Sequence, residues 1–365
     1  MPQRAAKLRT PHRATLRDVA RVANVSVPVA GVVLNGGPGN NSRASAETAK
    51  RIRAAALRLQ YRPNPAARQL RGKRTQTFGL LVTSAGDPQR GLLVQQLDIE
   101  AVKIGCHTLI GNTIGGLAHE PDQFDYYTEE LSHRHVDGVL CVVHRWSPGN
   151  RRELLARHPN TVFYEDPGVP GASYVAPDRR YGARLSVEHL AKRGRRRIGL
   201  AMLDLTWDFY HERVAGHVEA LEELNLPADL VHLGDWRTLC PNLGSSGVVA
   251  SFDYLDVLAE QAVADLVHRR HADAIVAHDD YWAATLVRCL LRQGLSVPRD
   301  VAVMGYADYM FAPWTERPLS TIRPNYFEAA SVMVRMVERM ITQGPLPPDD
   351  RTVRITPELV VRQST

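Results

Sequence analysis

Residues 15–35 read TLRDVARVANVSVPVAGVVLN, and residues 45–73 read SAETAKRIRAAALRLQYRPNPAARQLRGK. Thr15 offers a hydroxyl to a first-turn N–H and Asp18 stands three residues on, the spacing of a capping box. Leu16, Val19, Ala20 and Ala23 then recur at i, i+3, i+4 and i+7, the apolar stripe of a short amphipathic helix. Asn24 follows, a residue that tolerates the left-handed backbone of a tight turn. Ser26 stands as the cap of a second helix, with Pro28 in the first turn, where a missing N–H costs nothing. That helix runs to about Leu34, with Val29, Ala30, Val33 and Leu34 facing inward. Ser45 caps a third helix to about Gln60, burying Ile52, Ala55, Ala56 and Leu59 and exposing Lys50, Arg51, Arg53 and Arg58. Two short helices joined by a three-residue turn are a helix-turn-helix.

The glycine-rich segment between them, GGPGNNSR at 36–43, joins helix to helix. A nucleotide site needs strand, loop and helix in that order, so the segment reads as a plain loop. Residues 1–74 hold sixteen Lys/Arg against two acids, Asp18 and Glu47, a charge of +14 on a chain of net +6; the remainder therefore carries −8. A basic head on an acidic body points to a polyanion bound by the head. Four of the basic residues fall in the first fourteen and read as a solvated tail. The other twelve are interleaved with the helical pattern, as on a folded binding surface.

Beyond residue 75 apolar runs alternate with helical stretches. Strands are expected at 78–83, 106–111, 138–143, 198–203, 274–277 and 301–306, and helices at 92–104, 124–134 and 180–193. Repeated β-α units imply parallel sheets with helices on both faces. Roughly 290 residues exceed one such sheet, so two α/β lobes are expected, with a ligand in the cleft outside the carboxyl ends of their strands. No stretch approaches the roughly 18 apolar residues of a membrane span. The basic start lacks the apolar core of a secretory signal, so the cytoplasm is the expected compartment.

These motifs in order identify a resemblance to the LacI/GalR family of regulators. T-L-x-D-V-A, the A-x-V-S turn, the terminal V-L-N, the Y-x-P-N step and the A-x-x-L segment all stand within 15–73. In the body the resemblance continues through V-x-x-D-x-x-x-G at 175–182, ERVAG at 212–216, GDW at 234–236, HDDYWA at 278–283, GLSVPRDVAVMGYAD at 294–308 and RPLSTIRPN at 317–325. It implies an all-α helix-turn-helix head and an α/β body of two doubly wound parallel-sheet subdomains, as in periplasmic binding proteins. The expected division is a basic tail at 1–14, the DNA-binding domain at 15–62, a hinge helix at 63–75 and an effector-binding and dimerisation body at 76–365. Lobe 1 would take 76–190 and 323–353, and lobe 2 would take 191–322 and 354–365.

The resemblance also implies partners and roles: a homodimer on inverted-repeat double-stranded DNA, with affinity modulated by a small, sugar-like metabolite. DNA contacts fall on Thr15, Arg17, Ser26, Val27, Pro28, Val32, Asn35, Tyr61 and Asn64, with Ala67 letting two hinge helices pack and Leu70 as the minor-groove wedge. Effector contacts fall on Thr83, Asp178, Arg213, Trp236 and Asp279, with Asp280 as a helix cap. Arg213 also reads as a surface residue on a helix, and Trp236 as a core residue. Two departures stand out. The family usually has T-V-S-R in mid-recognition-helix, and this chain has Val29-Ala30-Gly31-Val32. The family's ligand-facing Asp in G-Y/F-D-D is Ala307.

Other classes find less support. There is no G-x-S-x-G elbow, no G-x-G-x-x-G after a strand and no P-loop, so no catalytic residue is assigned and no cofactor is expected. Cys106, Cys141, Cys240 and Cys289 have no C-x-x-C or ligand-spaced His, which leaves packed thiols and no metal. Arg195, Arg196 and Arg197 read as a solvated charge run. An architectural DNA binder, or a regulator whose body senses a protein, remains the alternative to a metabolite sensor.

Overall fold

The computed structural model describes residues 14–35, 44–61, 74–83, 88–113, 123–143, 146–202, 208–234 and 252–365. They fall into two units, one ending at Thr75 and one beginning at Gln76.

The head contains α1 (Leu16–Val22), α2 (Val27–Asn35) and α3 (Ala46–Arg58). The capping box forms as spaced: Asp18 N donates to Thr15 Oγ1 at 3.3 Å, and Thr15 N donates back to the Asp18 carboxylate at 3.0 Å. Asn24 takes the left-handed turn at φ 52°. Ser45 Oγ accepts from Thr48 N at 3.2 Å and starts α3. Val19, Ala20, Ala23, Ala30, Val33, Ile52, Ala55 and Ala56 close one small core. Small side chains at the crossing points let three short helices approach closely.

The body carries β1 (Thr77–Val82), α4 (Pro88–Lys103), β2 (His107–Asn112), α5 (Gln123–His133), β3 (Gly138–Val142), α6 (Pro148–Arg157), β4 (Thr161–Tyr164) and β5 (Ser173–Pro177). Then come α7 (Arg179–Lys192), β6 (Ile198–Met202), α8 (Asp208–Glu223), β7 (Val231–Leu233) and α9 (Phe252–Val263), which runs into a π-helical turn at Ala264–Arg269. The chain ends with β8 (Ala274–Ala277), α10 (Asp280–Arg292), β9 (Ala302–Tyr306), β10 (Ser320–Arg323), α11 (Tyr326–Gln343), β11 (Thr352–Ile355) and β12 (Glu358–Val360). One sheet has the order β11-β5-β4-β3-β1-β2, the other β12-β10-β9-β8-β6-β7. All described pairings are parallel except β10 with β12. Helices cover both faces, so β3, β6 and β9 are buried at every position, the mark of a parallel sheet wound on both sides.

Among the described strands the chain crosses between the sheets three times, and two of these crossings lie elsewhere than the sequence reading puts them. The first lies at Pro177–Asp178 rather than near 190. The Gly182, Ala183, Ser186, Val187 and Leu190 stripe of α7 turns to the second sheet, where Val187 and Leu190 meet Ile198, Leu200 and Met304. The third lies between β11, which pairs with β5, and β12, which pairs with β10, a few residues beyond 353. An amphipathic stripe shows that a helix has an apolar face; it does not show which sheet that face covers. The short strands β4, β5, β7, β10, β11 and β12, three to five residues each, were not legible as periodicity.

The arginine run is also not simply solvated. Arg195 donates to the carbonyls of Pro298 and Arg299, and Arg197 Nε and Nη2 donate to Arg270 O at 3.0 and 2.6 Å. Two of the three arginines therefore staple the loops that enter β8 and β9, and Arg196 alone stays exposed.

Candidate effector site and DNA-binding head

A parallel strand ends by releasing its next residues at the carboxyl edge of the sheet, and ligand sites in such folds form there. Thr83 follows β1, Glu165 follows β4 and Asp178 follows β5; His278 and Asp279 follow β8, and Ala307 follows β9. Contacts between the two lobes gather at these edges. Arg354 on β11 makes a two-point pair with Glu212 on α8, at 2.9 and 3.1 Å. Arg179, the first residue of α7, forks onto both carboxylate oxygens of Glu165. Their side chains are only 12% and 10% exposed, so this is a buried ion pair at the first crossing.

Arg213 is buried on α8. Its guanidinium donates to Ala277 O at 2.8 Å and to His278 O, and lies 4.0 Å from the ring centroid of Tyr306. The residue that the sequence offers as a ligand fork thus also fastens α8 to the turn between β8 and α10. His217, one turn on, is fully buried, and burial pushes its pKa down to about 4. Its ring is neutral at physiological pH.

Thr83 is buried, with its hydroxyl 3.2 Å from that of Thr113. Asp178 caps α7 by accepting from Tyr181 N at 2.9 Å. Asp279, not Asp280, is the cap of α10: it accepts from Trp282 N at 2.8 Å. Asp280 points the other way, into the protein, accepting from Tyr309 N and Thr321 Oγ1 at 2.7 Å each. A Cβ on Gly305 would lie 2.0 Å from its Oδ1, so only glycine fits beside it. Asp308, the acid that remains after the Ala307 departure, is taken by Arg323 and Arg362 at 2.7 Å each. Trp236 lies outside the described residues. Glu165, Arg179 and Tyr306 are the members that sequence reading missed. A carboxylate directly after the apolar run 161–164 was the available signal, since ligand sites in such folds form at the carboxyl ends of the strands.

Burial pushes the Asp280 carboxyl up to about 7 against the hydrogen bonds that favour its charge. The folded state then binds more protons than the unfolded chain between its ordinary 3.8 and about 7, and stability falls as pH rises through that window. Asp280→Asn is expected to flatten this slope, whose limit is about 1.4 kcal/mol per pH unit. Urea unfolding at pH 5 and pH 7.5 checks it; an unchanged slope would place the titration elsewhere.

In the head, Thr15, Arg17, Ser26, Val27, Pro28 and Val32 are all exposed, and Tyr61 packs half-buried against the core. Asn35 ends α2. Asn64, Ala67 and Leu70 lie outside the described residues.

Residues 15–64 match the family described as bacterial regulatory proteins, lacI family, and residues 187–365 match the periplasmic binding protein-like domain. The chain is 30% identical over 357 residues to the HTH-type transcriptional regulator GalR of Salmonella typhimurium, with 96% of each protein covered. The chain belongs to the lacI family of bacterial regulatory proteins. It is also 28% identical over 356 residues to the ribose operon repressor of Escherichia coli, covering 96% of this chain and 99% of that one. Among solved structures, the lac repressor dimer bound to operator and the anti-inducer ONPF shares the fold with TM-score 0.77 at 21% identity, covering 97% and 99%. The transcriptional regulator CelR–cellobiose complex aligns with TM-score 0.65 at 26% identity, covering 97% and 100%. As a lacI-family member this chain is a DNA-binding transcription regulator, and these relatives are regulators rather than enzymes. No described helix is long and apolar enough to cross a membrane, and no described residues gather as a metal site.

Proposed function

We propose that this regulator works in the bacterial cytoplasm as a homodimeric repressor on an inverted-repeat operator, and that a small hydroxylated metabolite, a carbohydrate or close kin, sets its affinity. The head carries the DNA half of this reading. Its helix-turn-helix presents Thr15, Arg17, Ser26, Val27, Pro28 and Val32 outward, with Arg51 and Arg53 exposed alongside, in a segment of charge +14. Asn35, Tyr61, Asn64, Ala67 and Leu70 complete the proposed contact set. The effector half rests on the carboxyl edges of the two sheets, where Thr83, Asp178, Arg213 and Asp279 stand, joined by Trp236 in the proposal. Relatives support it, since the lac repressor was solved with an anti-inducer and CelR with cellobiose.

Fluorescence anisotropy of the full chain on a selected operator tests the first half. With six phosphates neutralised, log K is expected to fall by about 5 per tenfold rise in salt. A flat dependence would remove the DNA reading. Calorimetry against sugars and related metabolites tests the second half: saturable heat with one chemical class supports it, and heat only with a protein partner replaces it.

A further inference from the structure

The outward face of α2 has an unusual chemistry. Ala30 and Val33 turn into the head core at 0% and 8% exposure. Among the described side chains of this helix, those left outside are Val27 at 38%, Pro28, and Val32 at 44%. Pro28 and Val32 are four residues apart and share one face, and Val27 is exposed at the first position of the same helix. None of the three has a hydrogen-bond donor or acceptor in its side chain. This apolar patch lies in a head of +14, with exposed cations on the neighbouring helices: Arg17 and Arg21 on α1, Arg51 and Arg53 on α3. An apolar patch within a cationic surface is complementary to a partner with anionic rims and an apolar floor. The major groove of DNA has that form where thymines line it, because the C5-methyl is the one apolar group a base edge shows there.

We propose that this helix reads its operator by methyl contact, with Val27, Pro28 and Val32 packing on thymine C5-methyl groups and the surrounding arginines holding the phosphates. The inference rests on the DNA-binding reading above and adds the chemistry of the bases. A bidentate Arg–guanine or Asn–adenine pair is not available from these three side chains, so positions beneath them discriminate by methyl presence and by shape. Guanine gives them nothing to bind. The same logic makes the contact sensitive to 5-methylcytosine, which carries the same methyl on a different hydrogen-bonding edge.

The experiment selects duplexes from two random pools with the full-length protein, one pool built with thymine and one with deoxyuridine. The thymine pool is expected to yield an inverted repeat with thymines under α2, and the deoxyuridine pool no comparable consensus. On the selected site, each thymine-to-uracil change beneath the helix is expected to weaken binding about fourfold, the worth of one buried methyl. Changes outside the contact leave affinity unchanged. Replacing a contacted thymine by 5-methylcytosine should cost less than replacing it by cytosine. V32A should reduce the thymine-over-uracil preference at one position toward unity. The same consensus from both pools at equal affinity, or guanines under the helix, overturns the methyl reading and leaves DNA binding standing. Equal binding of thymine and uracil sites, with V32A instead changing the oligomeric state, assigns the patch to an apolar protein face and also overturns it. Failure to select an inverted repeat from either pool overturns both this inference and the function it rests on.

Discussion

Replacing Glu165 by alanine is expected to destabilise the body by about 3–5 kcal/mol, the cost of leaving a buried cation without its counter-ion. Glu165 leaves β4 in the left-handed region, φ 78°, which turns its carboxylate back toward the amino end of α7. There it meets both ends of the Arg179 guanidinium, and the pair is about nine-tenths buried. The surroundings are the Tyr164 and Tyr306 rings, whose phenols burial holds above their ordinary pKa. Water cannot easily replace the lost partner there. The double change Glu165→Ala with Arg179→Ala should recover part of the loss, because the stranded charge is then gone. Urea unfolding of the three variants measures this. A single-variant cost below about 1 kcal/mol would mean that the pair behaves like an exposed one.

Arg213→Ala is expected to abolish the effector response and to cost about 3 kcal/mol or more in stability, since two hydrogen bonds from a charged donor go at once. The guanidinium holds Ala277 O and His278 O, the last residue of β8 and the first of the turn that leads to Asp279 and α10. Without it the turn loses its tie to α8 at the edge where the ligand is proposed to sit. Arg213→Lys keeps the charge but replaces a planar fork by a single nitrogen, so it should retain only part of both properties. The checks are thermal unfolding and the effector concentration that half-releases operator DNA. An alanine variant that responds at the wild-type concentration would move the effector site away from Arg213.

The same residue shows what reading a chain misses. Its family position points to a ligand; the Ala277 and His278 carbonyls that it also holds are 64 and 65 residues away in sequence and carry no side-chain signature. The neighbouring acids repeat the point. Asp279 and Asp280 are adjacent and chemically identical; the sequence offers Asp280 as the cap, whereas the structure caps α10 with Asp279 and buries Asp280. Which one caps α10 depends on the strand's last turn of φ and ψ; which one is buried depends on Gly305 and Thr321 arriving beside it. Tyr306 carries no local signal, because its partner, the Arg213 cation, comes from a different β-α unit.

What the chain specifies locally was readable in advance. The Thr15 capping box, the Ser45 cap, Asn24 in its turn and the α1–α3 stripes depend on neighbours within about four residues, and each appears where the letters put it. The strongest apolar runs of the parallel sheets were equally legible, since a strand buried on both faces cannot hide its composition. Tertiary structure alone decided which sheet α7 covers, where the chain crosses between lobes, and which carboxylates are taken by arginines. Those outcomes are contacts between segments distant along the chain, selected by the packing of whole faces, and no periodicity within one segment encodes its partner.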